Sequence, residues 1–359
     1  MDRIAVKIGS NVLTRADGSI DFTRISSLVD QVCDLRQQGI EVILISSGAV
    51  AFGRDSLEVH ASLDSISARQ LYSAVGQTKL MHTYYQLFKE RGHCCGQVLT
   101  TKENFSTRHH YLNQKNCMEV MLSQGVIPIV NENDTISLTE LMFTDNDELA
   151  GLVATMMDAR LLVILSNVDG VFTGDPSQAG SKLIPEIEPG SDSEAGFIAS
   201  TKSTAGRGGM HTKYAIARKL ALEGIPVVIA CGKRDGILPA VASGSKKLPY
   251  TLFIAAEKPI SGVKKWIAHS GGFARGSVTV NAGAAEALLS GGAASLLPVG
   301  ITAVEGDFEK DDIVRILDPA GKAIAVGRAN FDASDTRKLM GRQNVGEFIH
   351  YDYLYIEQI

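Results

Sequence analysis

Short apolar runs alternate with amphipathic segments along the first 255 residues of the chain. The apolar runs, bounded by Gly, Pro or polar residues, predict strands at Arg3–Ile8, Ile40–Ile45, Cys94–Leu99, Val126–Val130, Arg160–Leu165 and Ile225–Ala230. The segments between them have helical periodicity and predict helices at Phe22–Gln38, Ile66–Glu90, Tyr111–Ser123, Glu148–Met157 and His211–Glu223. Such alternation predicts an α/β fold, an open and mostly parallel sheet sandwiched by helices. Ligands of such sheets bind beyond the carboxyl ends of the strands.

The pattern changes after Phe253. Residues 256–273 contain Lys-Pro, Lys-Lys and Gly-Gly pairs and are interpreted as a linker around one tryptophan. From residue 274 an Ala-rich helix at Ala284–Ser290 lies among short strands, predicted at Ser277–Val280, Ile313–Leu317, Ala323–Gly327 and Tyr351–Ile356. We therefore predict one domain over 1–255, a linker over 256–273, and a small β-barrel-like domain over 274–359.

Composition narrows the class of protein. The 359 residues are 45% hydrophobic and 21% charged, as in globular proteins, and their net charge of −5 disfavours a coat for nucleic acid or anionic membranes. The apolar runs have strand length, far below a membrane span, and the first strand leaves no room for a signal peptide. Five cysteines, with no C-x-x-C pair, indicate reduced thiols. We expect a cytoplasmic protein without membrane segments.

Small residues suited to anion binding follow the first two predicted strands. Lys7 is costly in an apolar strand unless its ammonium reaches an anion or water. Gly9 and Ser10 follow it and expose backbone N–H groups that suit phosphate oxygens. Ser47 and Gly48 lie in the next strand-to-helix turn, which suits a carboxylate or a phosphate. Each motif alone also fits a snorkelling edge lysine or an ordinary capped turn.

Two further segments place charged groups near predicted strand ends. The sequences N-E-N-D at 131–134 and T-D-N-D-E at 144–148 offer carboxylates and carboxamides. Such groups could bind the ammonium of a ligand, hold lysine side chains in position or bind a hydrated Mg²⁺ ion. A solvated acidic loop with a helix cap would explain any one of these residues, but not the cluster. The loop G-R-G-G-M-H-T-K at 206–213 puts Lys213 on the first turn of a helix, which suits polyphosphate. It matches neither a Walker A loop nor G-x-G-x-x-G.

Together these segments resemble the amino acid kinase family over essentially the whole chain. The markers are V-K-I-G-S-N-V-L at 6–13, S-S-G-A-V-A at 46–51, A-V-G-Q at 74–77, V-N-E-N-D at 130–134, T-D-N-D-E-L at 144–149, S-N-V-D-G-V-F-T-G-D-P at 166–176 and G-G-M-H-T-K at 208–213. The V-N-E-N-D and D-N-D pair resembles in particular the branch that phosphorylates the γ-carboxylate of L-glutamate. S-L-L-P-V-G-I at 295–301, V-E-G-D-F at 304–308 and D-I-V-R-I at 312–316 resemble a PUA domain.

The resemblance implies roles for individual residues. It implies catalytic roles for Lys7, Lys213 and Asp147, with Asp147 orienting the two lysines. It implies that ATP is bound by Lys7, Gly9, Ser10, Ser166, Asn167, Gly208, Gly209, Met210 and Lys213. It implies that L-glutamate is bound by Ser47, Gly48, Asp134 and Asn146. Mg²⁺ would be held mainly by ATP, with no metal site made by the protein alone. Ser166 and Asn167 depart from the Thr-Asp pair that many members carry.

Further expectations concern partners and alternatives. The resemblance implies the first step of proline biosynthesis, feedback inhibition by proline and a homo-oligomer, a dimer or tetramer. One alternative is another carboxylate kinase of the same family. A second is an RNA-binding protein that acts through the C-terminal module, where 8 Lys+Arg against 12 Asp+Glu give residues 274–359 a net charge of −4. Strong binding to phosphate backbones needs clustered Lys and Arg, so we expect no nucleic-acid partner.

Overall fold

The computed structural model describes residues 2–58, 63–106, 108–137, 143, 145–178, 180–191, 209–257, 267, 274–290 and 294–356. Its strands are β1 Arg3–Ile8, β2 Glu41–Ser46, β3 Cys94–Thr100, β4 Val126–Glu132, β5 Leu161–Ser166, β6 Glu186–Ile187, β7 Val227–Cys231, β8 Tyr250–Phe253, β9 Gly276–Val280, β10 Ile301–Gly306, β11 Ile313–Leu317, β12 Ala323–Arg328 and β13 Leu354–Ile356. Its α-helices are α1 Ser10–Leu13, α2 Phe22–Gln37, α3 Ala49–Ser56, α4 Ser65–Glu90, α5 Glu103–Ser106, α6 Arg108–Ser123, α7 Asn146–Met156, α8 Met210–Leu222, α9 Ile237–Ala242, α10 Ala282–Leu289 and α11 Ala333–Leu339.

Within these ranges, eight strands form one sheet in the order β3-β4-β2-β1-β5-β7-β8-β6. Neighbouring strands run parallel, except that β8 is antiparallel to β7. The prediction of an open, mostly parallel α/β sheet is therefore confirmed. β8, which sequence reasoning left out, adds an antiparallel pair near one edge, a common feature of mixed sheets.

The two faces of β1 explain how the sheet carries both a core and a site. Ile4, Val6 and Ile8 alternate along the strand and join a fully buried cluster with side chains of α2, α4 and α9. Lys7 has the opposite parity and pairs with Asp147 of α7, which packs against β1. Helices thus cover both faces, and the polar face of β1 meets α7 at the carboxyl end of the strand.

Helices α3 and α4 pack backbone to backbone. A Cβ placed on Gly76 would lie 1.7 Å from the carbonyl oxygen of Ala49, and a Cβ on Gly53 would lie 2.0 Å from that of Tyr72. Only glycine allows these approaches, which accounts for the glycine in the A-V-G-Q motif of α4. The contact positions α3 directly after the turn that contains Ser47 and Gly48.

We expect Gly76→Ala to lower the free energy of unfolding by about 3 kcal/mol, the upper end of the overpacking range. Backbone atoms cannot yield to the added methyl group as a flexible side chain would. Denaturant unfolding of the purified variant measures the loss. Gly283→Ala in α10 is the matched control, because its Cβ would meet nothing closer than 3.7 Å. Equal stability of the two variants would contradict the packing argument.

The contact pattern divides the chain into two compact units. One comprises Met1–Thr101 and Asn116–Pro259, and the other comprises Lys102–Lys115 and Ile260–Ile359. The second unit contains its own sheet, in the order β10-β9-β11-β12-β13, and its own buried apolar cluster. The proposed domain limits at 1–255, 256–273 and 274–359 stay predictions, and of the linker only residues 256, 257 and 267 are described.

The last predicted strand is shorter than expected. Tyr351–Tyr353 form a 3₁₀ turn, and only Leu354–Ile356 pair with β12. The turn begins at His350, whose Nδ1 accepts a hydrogen bond from the backbone N–H of Asp352 at 3.2 Å. A side-chain cap of this kind competes locally with the strand pairing that the apolar pattern predicts. β10, which was not predicted, is antiparallel to β9 and has only its first residue fully buried.

Candidate active site

A cavity of about 950 Å³ opens at the carboxyl ends of β1, β2, β4 and β5. The first turns of α3, α7 and α8 also contribute to its wall. Of the residues implicated by sequence, twelve line the cavity: Lys7, Gly9, Ser10, Ser47, Gly48, Asp134, Asn146, Ser166, Asn167, Gly209, Met210 and Lys213. Asp147 lies behind its wall, fully buried, and Gly208 falls outside the described residues.

Two lysines from distant parts of the chain pair with one carboxylate. Lys7 Nζ lies 2.7 Å from Asp147 Oδ1, and Lys213 Nζ donates to Asp147 Oδ2 at 3.0 Å. Asp147 is 0% exposed, Lys7 5% and Lys213 7%. The three groups carry a net charge of +1, so the wall of the cavity is positively charged where the lysines reach it.

The charge state of Asp147 follows from its surroundings. Burial acts to raise the pKa of its carboxyl group, but the charges of Lys7 and Lys213 outweigh burial and hold the pKa below its usual value. Asp147 therefore stays ionised at neutral pH. A carboxylate held in this state is a poor proton acceptor, but it fixes the positions of two ammonium groups.

Helix starts hold the charged groups in place. Asp145 caps α7, because its Oδ1 accepts from the backbone N–H groups of Asp147 and Glu148 at 2.9 and 3.1 Å. Gly209 is the N-cap of α8, which puts Lys213 on the first turn of that helix. Both helix N-termini thus lie beside the cavity, and their positive dipole ends favour an anionic ligand there.

The turn after β1 borders the cavity, but the N–H of Gly9, expected from the sequence to face a phosphate, is used within the fold. Gly9 donates its N–H to the carbonyl of Leu165 at 3.2 Å, and a Cβ on Gly9 would lie 3.2 Å from the same oxygen. A side chain there would have to displace backbone, so the close approach favours glycine. Ser166 and Asn167 follow β5 on the same side of the cavity, and their side chains share a 3.3 Å hydrogen bond. These groups form the half of the cavity that sequence analysis assigns to a nucleotide.

The opposite half contains a chain of carboxamides. Asn146 Nδ2 donates to Ser47 Oγ at 2.9 Å and to Asn131 Oδ1 at 3.1 Å. Asn131 in turn donates to Gln77 Oε1 at 2.9 Å. Gly48, at the start of α3, has a φ of +110°, a conformation that favours glycine. The chain links the turn after β2, the end of β4 and the start of α7.

Asp134 lies in an ion-pair cluster that sequence analysis did not predict. Arg69 Nη2 of α4 donates to Asp134 Oδ1 and to Glu132 Oε2, and Ser73 Oγ donates to Asp134 Oδ2 at 3.1 Å. Burial raises the pKa of Glu132, although hydrogen bonds from Ser137 and from the N–H of Phe143 oppose the rise. The spacing of Arg69 and Ser73, four residues apart on one helix face, is the sequence signal that could have pointed to this cluster.

Asp145 has the chemistry of a magnesium ligand. Its Oδ2 is buried and has no hydrogen-bond partner among the described residues, while its Oδ1 caps α7. Burial raises the pKa of this carboxyl group, and the nearby charge of Asp147 adds to the rise. One carboxylate together with phosphate oxygens and waters is a usual ligand set for Mg²⁺. Asp145 therefore fits an ion that is carried mainly by a nucleotide.

The described residues contain no group of three or more His, Cys, Asp or Glu side chains that could hold a metal ion by itself. In the same ranges, no helix is both long and apolar enough to cross a membrane.

Comparison with known proteins identifies the class. The model of the amino acid kinase family matches residues 2–231, and the model of the PUA domain matches residues 276–350. The chain belongs to the amino acid kinase family and carries a PUA domain. Both resemblances found in the sequence are therefore confirmed, as is the fold that they imply.

Individual relatives narrow the comparison within that family. The chain is 60% identical to a glutamate 5-kinase of Bacteroides thetaiotaomicron over 355 residues, which cover 99% of this chain and 98% of the relative. It is 47% identical to a glutamate 5-kinase of Chlorobaculum tepidum, over 99% of this chain and 97% of the relative. Among solved structures it is similar to a UMP kinase from Bacillus anthracis, with 15% identity and a TM-score of 0.49, covering 70% of this chain and 96% of that one.

Proposed function

We propose that this protein is a kinase that transfers the γ-phosphoryl group of ATP to the γ-carboxylate of L-glutamate, the first step of proline biosynthesis. One observation carries the proposal: Lys7 and Lys213 line the cavity and meet on the buried carboxylate of Asp147 behind its wall. Relatives named glutamate 5-kinase, at 60% and 47% identity over nearly the whole chain, support the choice of substrate.

The chemistry asks for cations rather than for a base. A free carboxylate has a pKa of about 4.3, so the substrate is ionised at neutral pH and needs no proton acceptor. The remaining task is to bring anions together and to neutralise the charge that spreads over the transferring phosphoryl group. Two buried ammonium groups and the helix N-termini supply what this task requires.

The transfer is a direct in-line displacement. An oxygen of the γ-carboxylate forms a bond to the γ-phosphorus, while the bond between that phosphorus and the β,γ-bridging oxygen breaks and leaves ADP. Lys7 and Lys213 bind phosphoryl oxygens, and Asp147 fixes the distance between the two ammonium groups. Mg²⁺ bound to ATP would neutralise the phosphates, with Asp145 as the protein ligand. Gly9 and Ser10, with Gly208, Gly209 and Met210, would border the phosphates, and Ser166 and Asn167 would contact the nucleoside.

A substrate panel tests the assignment. ADP release from MgATP is measured with L-glutamate, L-aspartate, N-acetyl-L-glutamate and UMP as acceptors, each against a reaction without acceptor. We expect release to depend on L-glutamate and to be far slower with the other three. Preference for another acceptor would make the protein a different kinase of this family. If none of the four acceptors increased ADP release above the reaction without acceptor, the proposal would be contradicted.

We expect Asp134→Ala to raise the KM for L-glutamate by about 10–100-fold, with a smaller change in kcat, because a charge-assisted contact to the α-ammonium is lost. Steady-state kinetics at saturating ATP measure both constants. Asp235→Ala is the control: that carboxylate is 86% exposed, pairs with Arg24 and does not line the cavity. Unchanged affinity for L-glutamate in the Asp134 variant would show that the ammonium is bound elsewhere.

Four further properties belong to the same proposal. Proline, the end product of the pathway, is proposed to inhibit the enzyme at or near the glutamate site. A homo-oligomer, dimer or tetramer, is proposed from the family resemblance, and a cytoplasmic location from the sequence. We also propose that the PUA domain has no nucleic-acid partner, because residues 274–359 carry a net charge of −4, which disfavours binding to a phosphate backbone.

A further inference from the structure

The carboxamide chain of the cavity leaves one hydrogen-bond donor and one acceptor for a ligand. Asn146 Nδ2 uses both of its hydrogens, on Ser47 Oγ at 2.9 Å and on Asn131 Oδ1 at 3.1 Å. Because Ser47 Oγ accepts from Asn146, its hydroxyl hydrogen is not needed for that bond. Among the described residues, neither this hydrogen nor Asn146 Oδ1 has a hydrogen-bond partner, and both side chains line the cavity. The Ser47 hydroxyl is therefore set to donate into the cavity.

Asn131 sets the direction of hydrogen bonding along this chain. Its Oδ1 accepts from the backbone N–H of Glu132 at 2.9 Å as well as from Asn146. A backbone N–H can only donate, so an Asn131 amide turned by 180° would place Nδ2 against another donor. Asn131 is 3% exposed, and its Nδ2 therefore needs an acceptor within the fold. Gln77 Oε1 is that acceptor, at 2.9 Å.

Gln77 acts on the chain from outside the cavity. It is the last residue of the A-V-G-Q motif in α4, to which sequence analysis gave no role, and it does not line the large cavity. The neighbouring Gly76 packs against the backbone of Ala49, which fixes this part of α4 against α3. Gln77 Nε2 is buried and has no hydrogen-bond partner among the described residues. Only the oxygen of its amide therefore takes part in the chain.

We propose that Gln77 is a positioning residue, which acts through the carboxamide chain to hold the Ser47 hydroxyl as a hydrogen-bond donor to the γ-carboxylate of the substrate. This inference rests on the proposed function. The N–H of Ser47 donates to the carbonyl of Ile8 at 3.0 Å, so Ser47 lies beside the end of β1, the strand that carries Lys7. The γ-carboxylate has to meet the phosphoryl group at this end of the substrate half, whereas the substrate ammonium is assigned to Asp134.

Loss of the acceptor at residue 77 would change the direction of the chain. Asn131 Nδ2 would be buried without a partner, and its amide would move to find one. Asn146 would then lose the acceptor that fixes its own amide. Once Asn146 Oδ1 can turn towards Ser47, the hydroxyl donates to Asn146 instead of to the substrate. The γ-carboxylate would lose a contact that orients it for attack, which lowers kcat/KM for L-glutamate.

A double-mutant cycle tests whether Gln77 acts through Ser47. The kcat/KM for L-glutamate, from ADP release at saturating MgATP, is measured for the wild type, Gln77→Met, Ser47→Ala and the double variant. We expect Gln77→Met to lower kcat/KM about 10-fold when Ser47 is present, but less than about 2-fold in the Ser47→Ala background. If turnover of the Ser47→Ala proteins is undetectable, the dissociation constant of L-glutamate, from calorimetry, replaces kcat/KM in all four proteins. If Gln77→Met does not fold, Gln77→Ala, which also removes the acceptor, takes its place.

Two further variants separate the acceptor from packing. Gln77→Glu keeps an oxygen for Asn131 in either protonation state and is expected to retain nearly the wild-type kcat/KM. Gln70→Met is the matched control, because Gln70 of the same helix donates to the carbonyl of Thr135 at 2.7 Å and lies outside the chain. It is expected to change kcat/KM by the same factor with and without Ser47.

A purely structural role for Gln77 predicts a different result. Gln77→Met would then lower kcat/KM by the same factor in both backgrounds, as Gln70→Met does, and that outcome would overturn the inference. An equal loss in Gln77→Glu and Gln77→Met would overturn it as well, because the acceptor would then have no effect. Failure of the wild type to phosphorylate L-glutamate would instead overturn the proposed function.

Discussion

Replacing Lys213 with alanine is expected to lower kcat by about 10²–10³-fold, by analogy with the loss of a single oxyanion donor. Its ammonium is 3.0 Å from Asp147 Oδ2 and is held on the first turn of α8, at the end of the cavity where phosphoryl oxygens would lie. The contact to the substrate strengthens as charge develops in the transition state, so the KM for L-glutamate should change little.

Steady-state kinetics of Lys213→Ala at saturating MgATP check this expectation. Lys246→Ala is the control for the loss of a lysine, because Lys246 is 79% exposed and its ion pair with Glu186 lies outside the cavity. It should retain wild-type turnover. If the Lys213 variant also turned over at near wild-type rates, Lys213 would have no part in the chemical step.

Replacing Asp147 with asparagine is the second change with a large expected effect. Asparagine keeps the size of the side chain but removes the negative charge that Lys7 and Lys213 share. The side chains of both lysines are at least 91% buried. Leaving buried charges without their partner costs about 3–5 kcal/mol of stability. The two ammonium groups would also repel each other, so kcat should fall together with stability.

The pH dependence of stability separates this charge effect from a loss of packing. The pKa of Asp147 in the folded protein lies below its ordinary value of 3.8, which applies in the unfolded chain. Ionised Asp147 therefore contributes fully to the free energy of unfolding above pH 3.8, and this contribution is lost as the pH falls through the lower pKa of the folded protein. Wild type and Asp147→Asn should therefore differ in free energy of unfolding at pH 7 and converge in strong acid. A difference that stays constant from neutral to acid pH would contradict an electrostatic role.

Much of the fold and part of the candidate site could be predicted from the sequence. The apolar runs gave β1, β2 and β4 within one or two residues because buried parallel strands are short and continuously hydrophobic. Strand ends then identified the segments of Lys7, Ser47 and Asp134, since a parallel sheet brings its carboxyl ends to one edge. The family resemblance, rather than periodicity, singled out Asp147 among its acidic neighbours.

Features that depend on contacts between distant segments could not be predicted in this way. Arg69 is 65 residues from Asp134 in the chain, and its spacing from Ser73 indicates a shared helix face without indicating which carboxylate that face meets. The buried, unpartnered Oδ2 of Asp145 is visible only once α7 is placed against the sheet. The antiparallel strand β8 likewise depends on a turn and a partner strand, because four residues are too few for a periodic pattern to decide its direction.

The central claim is that an oxygen of the γ-carboxylate itself attacks ATP, and labelled substrate tests it most directly. L-Glutamate carrying ¹⁸O in both γ-carboxylate oxygens is incubated with MgATP and hydroxylamine, which attacks the acyl carbon and releases phosphate. Direct transfer predicts phosphate with one ¹⁸O atom and a hydroxamate that retains the other, in equal amounts by mass spectrometry. Phosphate without label, formed at the rate of ADP release, would show that water receives the phosphoryl group and would contradict the account.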